Sequence, residues 1–275
     1  MGVYLGRVFY LGTQYHGSQW QPGVRTVQME LINAISKWSG ELHTHETVVL
    51  SGRTDRGVHS IGQIVLVQTE KRFDIDRINK YLPEDIVIWA HADAPEGFHP
   101  RYSVLMRHYK YYLGNMKGLD LDSIRKALQG LAGSHDYGQL SKPDGDRGAF
   151  ATILNASISD QDELLSFDFF GTSFLWKLVR KTVGLMIRIG QGEFSPDTVT
   201  DLLQGRTIIA GGINPAPPEG LVLVESVIPI RMIKSKYALG KIRSQVGKHL
   251  IFLHRTVRTL SAVTNDFFSD QMFLF

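Results

Sequence analysis

Asp55 is the residue around which chemistry is easiest to write. It stands in the run Ser51-Gly52-Arg53-Thr54-Asp55-Arg56-Gly57-Val58-His59-Ser60, bracketed by two glycines and two arginines. Glycines let a loop take positive φ or approach another segment closely. Arginines beside a carboxylate favour its ionised form, which suits Asp55 to act as a nucleophile or a base. A turn with a surface Asp–Arg pair accounts for the same residue types equally well, since such pairs are common and weak. Two more candidates lie downstream. Tyr109 and Tyr111 share one face of the alternating run Arg107 to Gly114, so one can serve a site while the other is core. Arg180 sits among Leu178, Val179 and Val183. A cation there needs a carboxylate, or must snorkel to solvent as Lys177, Lys181 and Arg188 can. The ten histidines prompt a search for a metal site, but only His43 and His45 lie close together and no third ligand is suitably spaced, so no metal is expected. His59 reads as a structural neighbour of the loop rather than a general base. Asp55-x-Gly57 invites comparison with acid hydrolases, but that chemistry needs two facing carboxylates and no second such loop is present.

The elements that must hold these residues follow from periodicity. Val3 to Tyr10 reads as a strand. A helix starts at Thr26, with Val27, Leu31, Ala34, Ile35 and Trp38 as its buried stripe. Val48 to Leu50 is a short strand, the glycine-rich loop 51–60 follows, and Ile61 to Thr69 is a strand. Asp74 caps a short helix ending at Leu82, and Ile86 to Ala92 is β-rich. The second half repeats the rhythm. It has a strand at Arg107 to Gly114 and a helix from Leu121 to Leu131. A hairpin of Phe150 to Ser159 and Leu164 to Gly171 turns at 160–163. Then come a long helix from Phe174 to Ile189, a shorter one at Pro196 to Leu203 capped by Ser195, and a last strand at Leu221 to Ile228. Grouped strands separated by helices argue an α+β fold with mainly antiparallel sheet. Residues 1–100 form an N-terminal half carrying the Asp55 loop, 101–230 a second half, and 231–275 a basic, partly apolar extension. Within that extension Ile251, Leu253 and Val257 are spaced to bury one face.

Composition narrows the class. The 275 residues correspond to roughly two domains. The chain has no cysteine, which excludes disulfides, iron–sulfur clusters and thiolate zinc sites. The formal charge of +3 is unevenly spread: eight Lys or Arg and no Asp or Glu lie between Ser226 and Asn265, while the remainder holds 22 basic and 27 acidic residues. A local basic segment fits a polyanionic partner, and equally a solvated face. No apolar stretch approaches the roughly 18 residues of a membrane span. The N-terminus lacks a signal-peptide layout, and Gly6 stands where a myristoylation motif has Ser or Thr. A cytoplasmic protein is the expectation.

Ser51 to Gln63 strongly resembles the signature of the TruA family of tRNA pseudouridine synthases, in which Gly-Arg-Thr-Asp-x-Gly-Val-His leads into a strand-opening Gly-Gln, here Gly62-Gln63. The likeness continues in order through Tyr15-His16-Gly17, Gln21 and Thr26-Val27-Gln28. It goes on through Asn79, Leu82-Pro83 and Asp85-Ile86, then Phe98-His99, Arg101 and Arg107-x-Tyr109-x-Tyr111. His135-Asp136-Tyr137, Phe174-Leu175, Val179-Arg180, Val183-Gly184, Ala216-Pro217 and Gly220-Leu221-x-Leu223 complete it. Leu11 departs from the family's Tyr-Asp-Gly, Arg56 stands where a small residue or Lys is common, and residues 231–275 look more like an extension of archaeal or eukaryotic branches.

The resemblance implies the pseudouridine synthase fold, with both halves joined into one central sheet flanked by helices. It implies isomerisation of uridine in the anticodon stem-loop of tRNA, around positions 38–40, by a homodimer that uses no cofactor and no metal. Asp55 is then the catalytic carboxylate and Arg180 its partner. Tyr109 would stack on the uracil or move a proton, and Leu221 would form an apolar wall. Arg53 would contact phosphate or help extrude the base. Arg56, Lys177 and Lys181, with Lys241, Arg243 and Lys248 from the basic segment, are the candidates for the RNA backbone. A non-catalytic RNA-binding protein or tRNA chaperone on the same fold is the alternative.

Overall fold

The computed structural model describes residues 1–114, 116–145, 148–161 and 164–267. Its strands are β1 (Gly2–Tyr10), β2 (Val48–Leu50), β3 (His59–Thr69), β4 (Ile86–Asp93), β5 (Met106–Leu113), β6 (Gly133–Asp136), β7 (Phe150–Gln161), β8 (Leu164–Gly171), β9 (Leu221–Val227) and β10 (Ile233–Lys234). Its helices are α1 (Val27–Ser39), α2 (Ile75–Ile78), α3 (Leu121–Gln129), α4 (Leu178–Gly190), α5 (Thr198–Leu203) and α6 (Lys236–Phe267). Nine strands form one path in the order β10-β4-β1-β3-β9-β5-β8-β7-β6, and β2 pairs with β3 off that path. The two halves therefore do share a sheet. They meet at a parallel contact of β3 with β9, His59 opposite Val222 and Ser60 opposite Leu223, while every other pairing is antiparallel. Gly62 permits that approach, because a Cβ there would lie 2.4 Å from the Val224 carbonyl oxygen.

Each half covers its part of the sheet with helices. Leu31, Ile35 and Trp38 of α1, with Ile75 and Ile78 of α2, pack on Val8, Val65, Val67 and Ile88. Ile124 and Leu128 of α3, with Val183, Met186 and Ile189 of α4, pack on Phe167, Phe169 and Ile153. The expected cap Asp74 accepts from the Arg77 amide, and Thr26, the expected start of the first helix, caps it by accepting from the Met29 amide.

Several expectations change. The long helix begins at Leu178 rather than Phe174, because Lys177 takes a left-handed conformation (φ 63°). Residues 174–177 are thereby freed from the helix to border the site. Ser195 does not cap α5, which starts at Thr198 with Asp197 in the N-cap position; the Ser195 hydroxyl instead accepts from the Asp197 amide, ahead of the helix. α2 ends at Ile78, short of Leu82. Strands β6 and β10 carry too little alternation to be read from sequence. The hairpin turn at 160–163 includes Asp162 and Glu163, which lie outside the described residues.

After β10, the described part of the extension is the helix α6 of 32 residues, about 48 Å long at 1.5 Å per residue. Its first turns seat Ala238, Ile242 and Val246 against Phe9, Val87 and Trp89. Ile251, Leu253 and Val257 are exposed rather than buried, since the helix outruns the sheet it rests on.

Candidate active site

Asp55 lies on the loop joining β2 to β3, and side chains from four segments hold that loop. The Arg107 guanidinium donates to the Ser51 carbonyl at 2.6 Å. The Gln63 amide nitrogen donates to the Gly52 carbonyl at 2.8 Å. Ser18 accepts from the Thr54 amide at 2.8 Å, and its own backbone N–H donates to the Thr54 carbonyl at 3.1 Å. The Tyr10 and Thr54 hydroxyls meet at 2.8 Å, and burial pushes the Tyr10 phenol up, so it stays protonated. Past the aspartate, Val58 N–H donates to the Asp55 carbonyl at 3.2 Å. Gly57 has φ +86°, and a Cβ there would stand 2.9 Å from Pro218 Cγ. Gly57→Ala is therefore expected to cost about 1–2 kcal/mol of stability and to lower activity by displacing Asp55. Urea melts and a single-turnover assay check this, and unchanged values in both would show that the loop relaxes around the methyl group.

The Asp55 carboxylate is one-fifth exposed and accepts from Arg180 Nη1 at 2.7 Å. Arg180 is 9% exposed, and its Nε donates to the Ala216 carbonyl at 2.7 Å. The guanidinium is thus held at both ends: a buried cation aims a carboxylate that still reaches the surface. Behind this pair stands an apolar wall. Tyr109 and Tyr111 of β5 lie opposite Leu223 and Leu221 of β9, and all four join the core that includes Val58 and Leu178. The Tyr109 ring meets Phe174 edge-on with centroids 4.8 Å apart. Burial raises the Tyr109 phenol above its ordinary value, opposed by Arg107 and reinforced by Tyr10 and Asp55. Tyr111 is pushed up to about 12 by burial. Both phenols are neutral donors at physiological pH.

Other candidates fall outside this cluster. Arg53 is exposed and pairs with Asp144 at 3.2 Å. Arg56 is exposed. Lys177 is half-buried, with its ammonium 5.8 Å over the Trp176 ring. The Lys181 ammonium does not snorkel to solvent but donates to the carbonyls of Gln139 and Ser141, and burial lowers its pKa. Lys241 likewise donates to the Asn79 carbonyl at 2.6 Å. Lys248 lies 3.8 Å from Glu84, and Arg243 is exposed. His59 accepts from the Gly12 amide through Nδ1 at 3.0 Å, and burial lowers its pKa; it braces the loop as a neutral imidazole. His43 is buried against Ser39 and Thr47, and His45 stacks on Trp20. Among the described residues no three His, Asp or Glu side chains gather as metal ligands.

Sequence reasoning gives no supporting role to Ser18, Tyr10, Gln63 or Arg107, although Gln63 and Arg107 fall within the motifs of the resemblance. Their spacing does not point to the loop, because each reaches it from a different segment of the fold.

A mixed α+β fold here presents a carboxylate paired with a buried arginine beside an aromatic wall. The chain belongs to the tRNA pseudouridine synthase family, whose model matches residues 8–103 and 127–227. It is an isomerase that acts on tRNA. A tRNA pseudouridine synthase A of Methanosarcina acetivorans is 36% identical over 89% of this chain and 92% of its own length. That of Methanococcoides burtonii is 34% identical over 97% of this chain and 98% of its own. Among solved structures, an archaeal box H/ACA sRNP Nop10–Cbf5 complex matches with a TM-score of 0.35 and 12% identity, over 66% of this chain and 45% of that one, a likeness too distant to carry an argument.

Proposed function

We propose that this enzyme converts uridine to pseudouridine in the anticodon stem-loop of tRNA, with Asp55 as the reacting carboxylate. The observation that carries this reading is the 2.7 Å pair of Asp55 with the buried Arg180, at the edge of the wall formed by Tyr109, Tyr111 and Leu221. The reaction breaks the C1′–N1 bond, turns the freed uracil and joins C5 to C1′. The proton lost from C5 is balanced by one gained at N1, so no redox partner is required. The target atoms are shielded in a stacked helix, so the base must be extruded into the cleft. Tyr109 gives it a ring to stack on and a neutral hydroxyl for proton transfer, Leu221 gives an apolar floor, and Arg53 contacts the displaced backbone. Asp55 has three roles open to it: attack at C1′, addition to the base, or removal of the 2′ proton. Capture of Asp55 by tRNA containing 5-fluorouracil separates the first two from the third. Mapping pseudouridine in tRNA with and without the enzyme tests the site of modification, and a pattern confined to other arms of the tRNA would exclude the anticodon stem-loop.

The family likeness also supports a cytoplasmic homodimer with tRNA bound across both subunits, which sedimentation of the purified chain tests. Among the described residues no helix is long and apolar enough to cross a membrane. The basic helix α6 supplies affinity rather than chemistry. Because Lys241 is committed to a backbone carbonyl, the effect is expected from Arg243 and Lys248. Replacing both with Gln is expected to weaken tRNA binding and to lower the salt slope by about one for each phosphate no longer neutralised. Equal slopes for parent and variant would make α6 a solvated face.

A further inference from the structure

We propose that Gln63 is a positioning residue for Asp55, an inference that rests on the reading of Asp55 as the reacting carboxylate. The Gln63 side chain is fully buried on β3 beneath the loop. Its two amide atoms do different things for two consecutive loop residues. Oε1 accepts from the Ser51 hydroxyl at 2.7 Å, and Nε2 donates to the Gly52 carbonyl at 2.8 Å. Its backbone N–H donates to the Ser60 hydroxyl at 3.0 Å, and that hydroxyl donates to the Leu223 carbonyl of β9 at 3.1 Å. Gln63 therefore ties the start of the catalytic loop to the parallel β3–β9 seam, and β9 also carries Leu221. A shift of β9 relative to β3 is passed through Ser60 and Gln63 to Gly52, three residues before Asp55.

The geometry requires an amide. An apolar side chain of equal size removes the short partner of each group, leaving the Ser51 hydroxyl only the 3.5 Å contact with Ser226 Oγ to donate to and the Gly52 carbonyl only the 3.4 Å contact from Ser18 Oγ. A carboxylate can still accept from Ser51 but turns a negative oxygen toward the Gly52 carbonyl. A protonated carboxyl restores both bonds, accepting from Ser51 and donating to Gly52. Buried away from solvent, an introduced carboxyl has a raised pKa, so it is neutral and competent at lower pH and loses its donor as pH rises through that value.

The test compares Gln63→Met and Gln63→Glu with the parent enzyme. Pseudouridine formation is followed under single turnover and at steady state from mildly acidic to alkaline pH, with thermal melts alongside. Gln63→Met is expected to lower the single-turnover rate about 10- to 100-fold while KM for tRNA stays within about threefold, because the amide does not touch RNA. Gln63→Glu is expected to approach the parent rate at low pH and to fall away as pH rises, a limb that the parent profile lacks. A folded Gln63→Met with the parent rate overturns the proposal. So does a Gln63→Glu profile parallel to that of the parent, whether or not Gln63→Met folds. Asp55→Asn run alongside keeps the two readings apart: activity surviving in that variant removes the catalytic assignment itself, whereas loss there with normal Gln63 variants removes only the positioning role.

Discussion

Asp55→Asn is expected to abolish pseudouridine formation, by on the order of 10⁴-fold or more, while tRNA remains bound. The exchange is nearly isosteric. The remaining oxygen still accepts from Arg180 Nη1, and Arg180 keeps its bond to the Ala216 carbonyl, so the buried guanidinium retains two acceptors. The loop supports at Ser51, Gly52 and Thr54 do not involve the Asp55 side chain and are unaffected. The variant lacks the negative charge and the nucleophilic or basic oxygen. Chemical mapping of pseudouridine reads the activity, filter binding reads the affinity, and a thermal melt checks the fold. Binding retained without product separates an enzyme from an RNA chaperone built on the same fold, and product formation by the variant would refute the assignment.

Arg180→Met is expected to have the second largest effect, because it strikes stability and chemistry together. The arginine is 9% exposed, and its removal strands a carboxylate and the Ala216 carbonyl, at a cost on the order of 3 kcal/mol. It also releases Asp55 from its aimed position, and displacements of about 1 Å cost of order 100-fold in rate. Arg180→Lys is not expected to rescue. A lysine offers its donors from a single compact nitrogen, whereas the guanidinium reaches Ala216 through Nε and Asp55 through Nη1, two separate atoms of a rigid fork, at once. Combining Arg180→Met with Asp55→Asn is expected to destabilise less than the two single effects added, because the second change removes the stranded charge. Urea melts of the four proteins give this coupling, and strict additivity would mean that the pair contributes nothing to folding.

The legible parts of the molecule share a physical character. Helix α1 can be read because its apolar stripe recurs within one element and Thr26 closes its own first turn. The Asp55 loop can be read because ten consecutive residues carry its glycines, arginines and carboxylate together. The start of α4 cannot: Phe174 to Ile189 has helical spacing throughout, but the left-handed Lys177 interrupts it, and Phe174 then packs against Tyr109 on a different element. The exposure of Ile251, Leu253 and Val257 is equally invisible, since spacing describes a face without saying whether the sheet extends far enough to cover it.

By itself, then, the sequence determines the local pieces: the elements set by their period, two helix starts set by their caps, the aspartate in its loop, and an arginine in apolar surroundings that requires a partner. Tertiary structure alone decides which groups meet. The Lys181 and Lys241 ammonium groups are spent on backbone carbonyls far away in the chain. Gln63 reaches the loop from β3, Arg107 reaches it from β5, and Arg180 meets Asp55 across 125 positions. Both arginines belong to the second half and the aspartate to the first. Their meeting depends on the parallel joining of β3 to β9, a long-range contact whose partners sit in separate halves of the chain, so no local spacing encodes it.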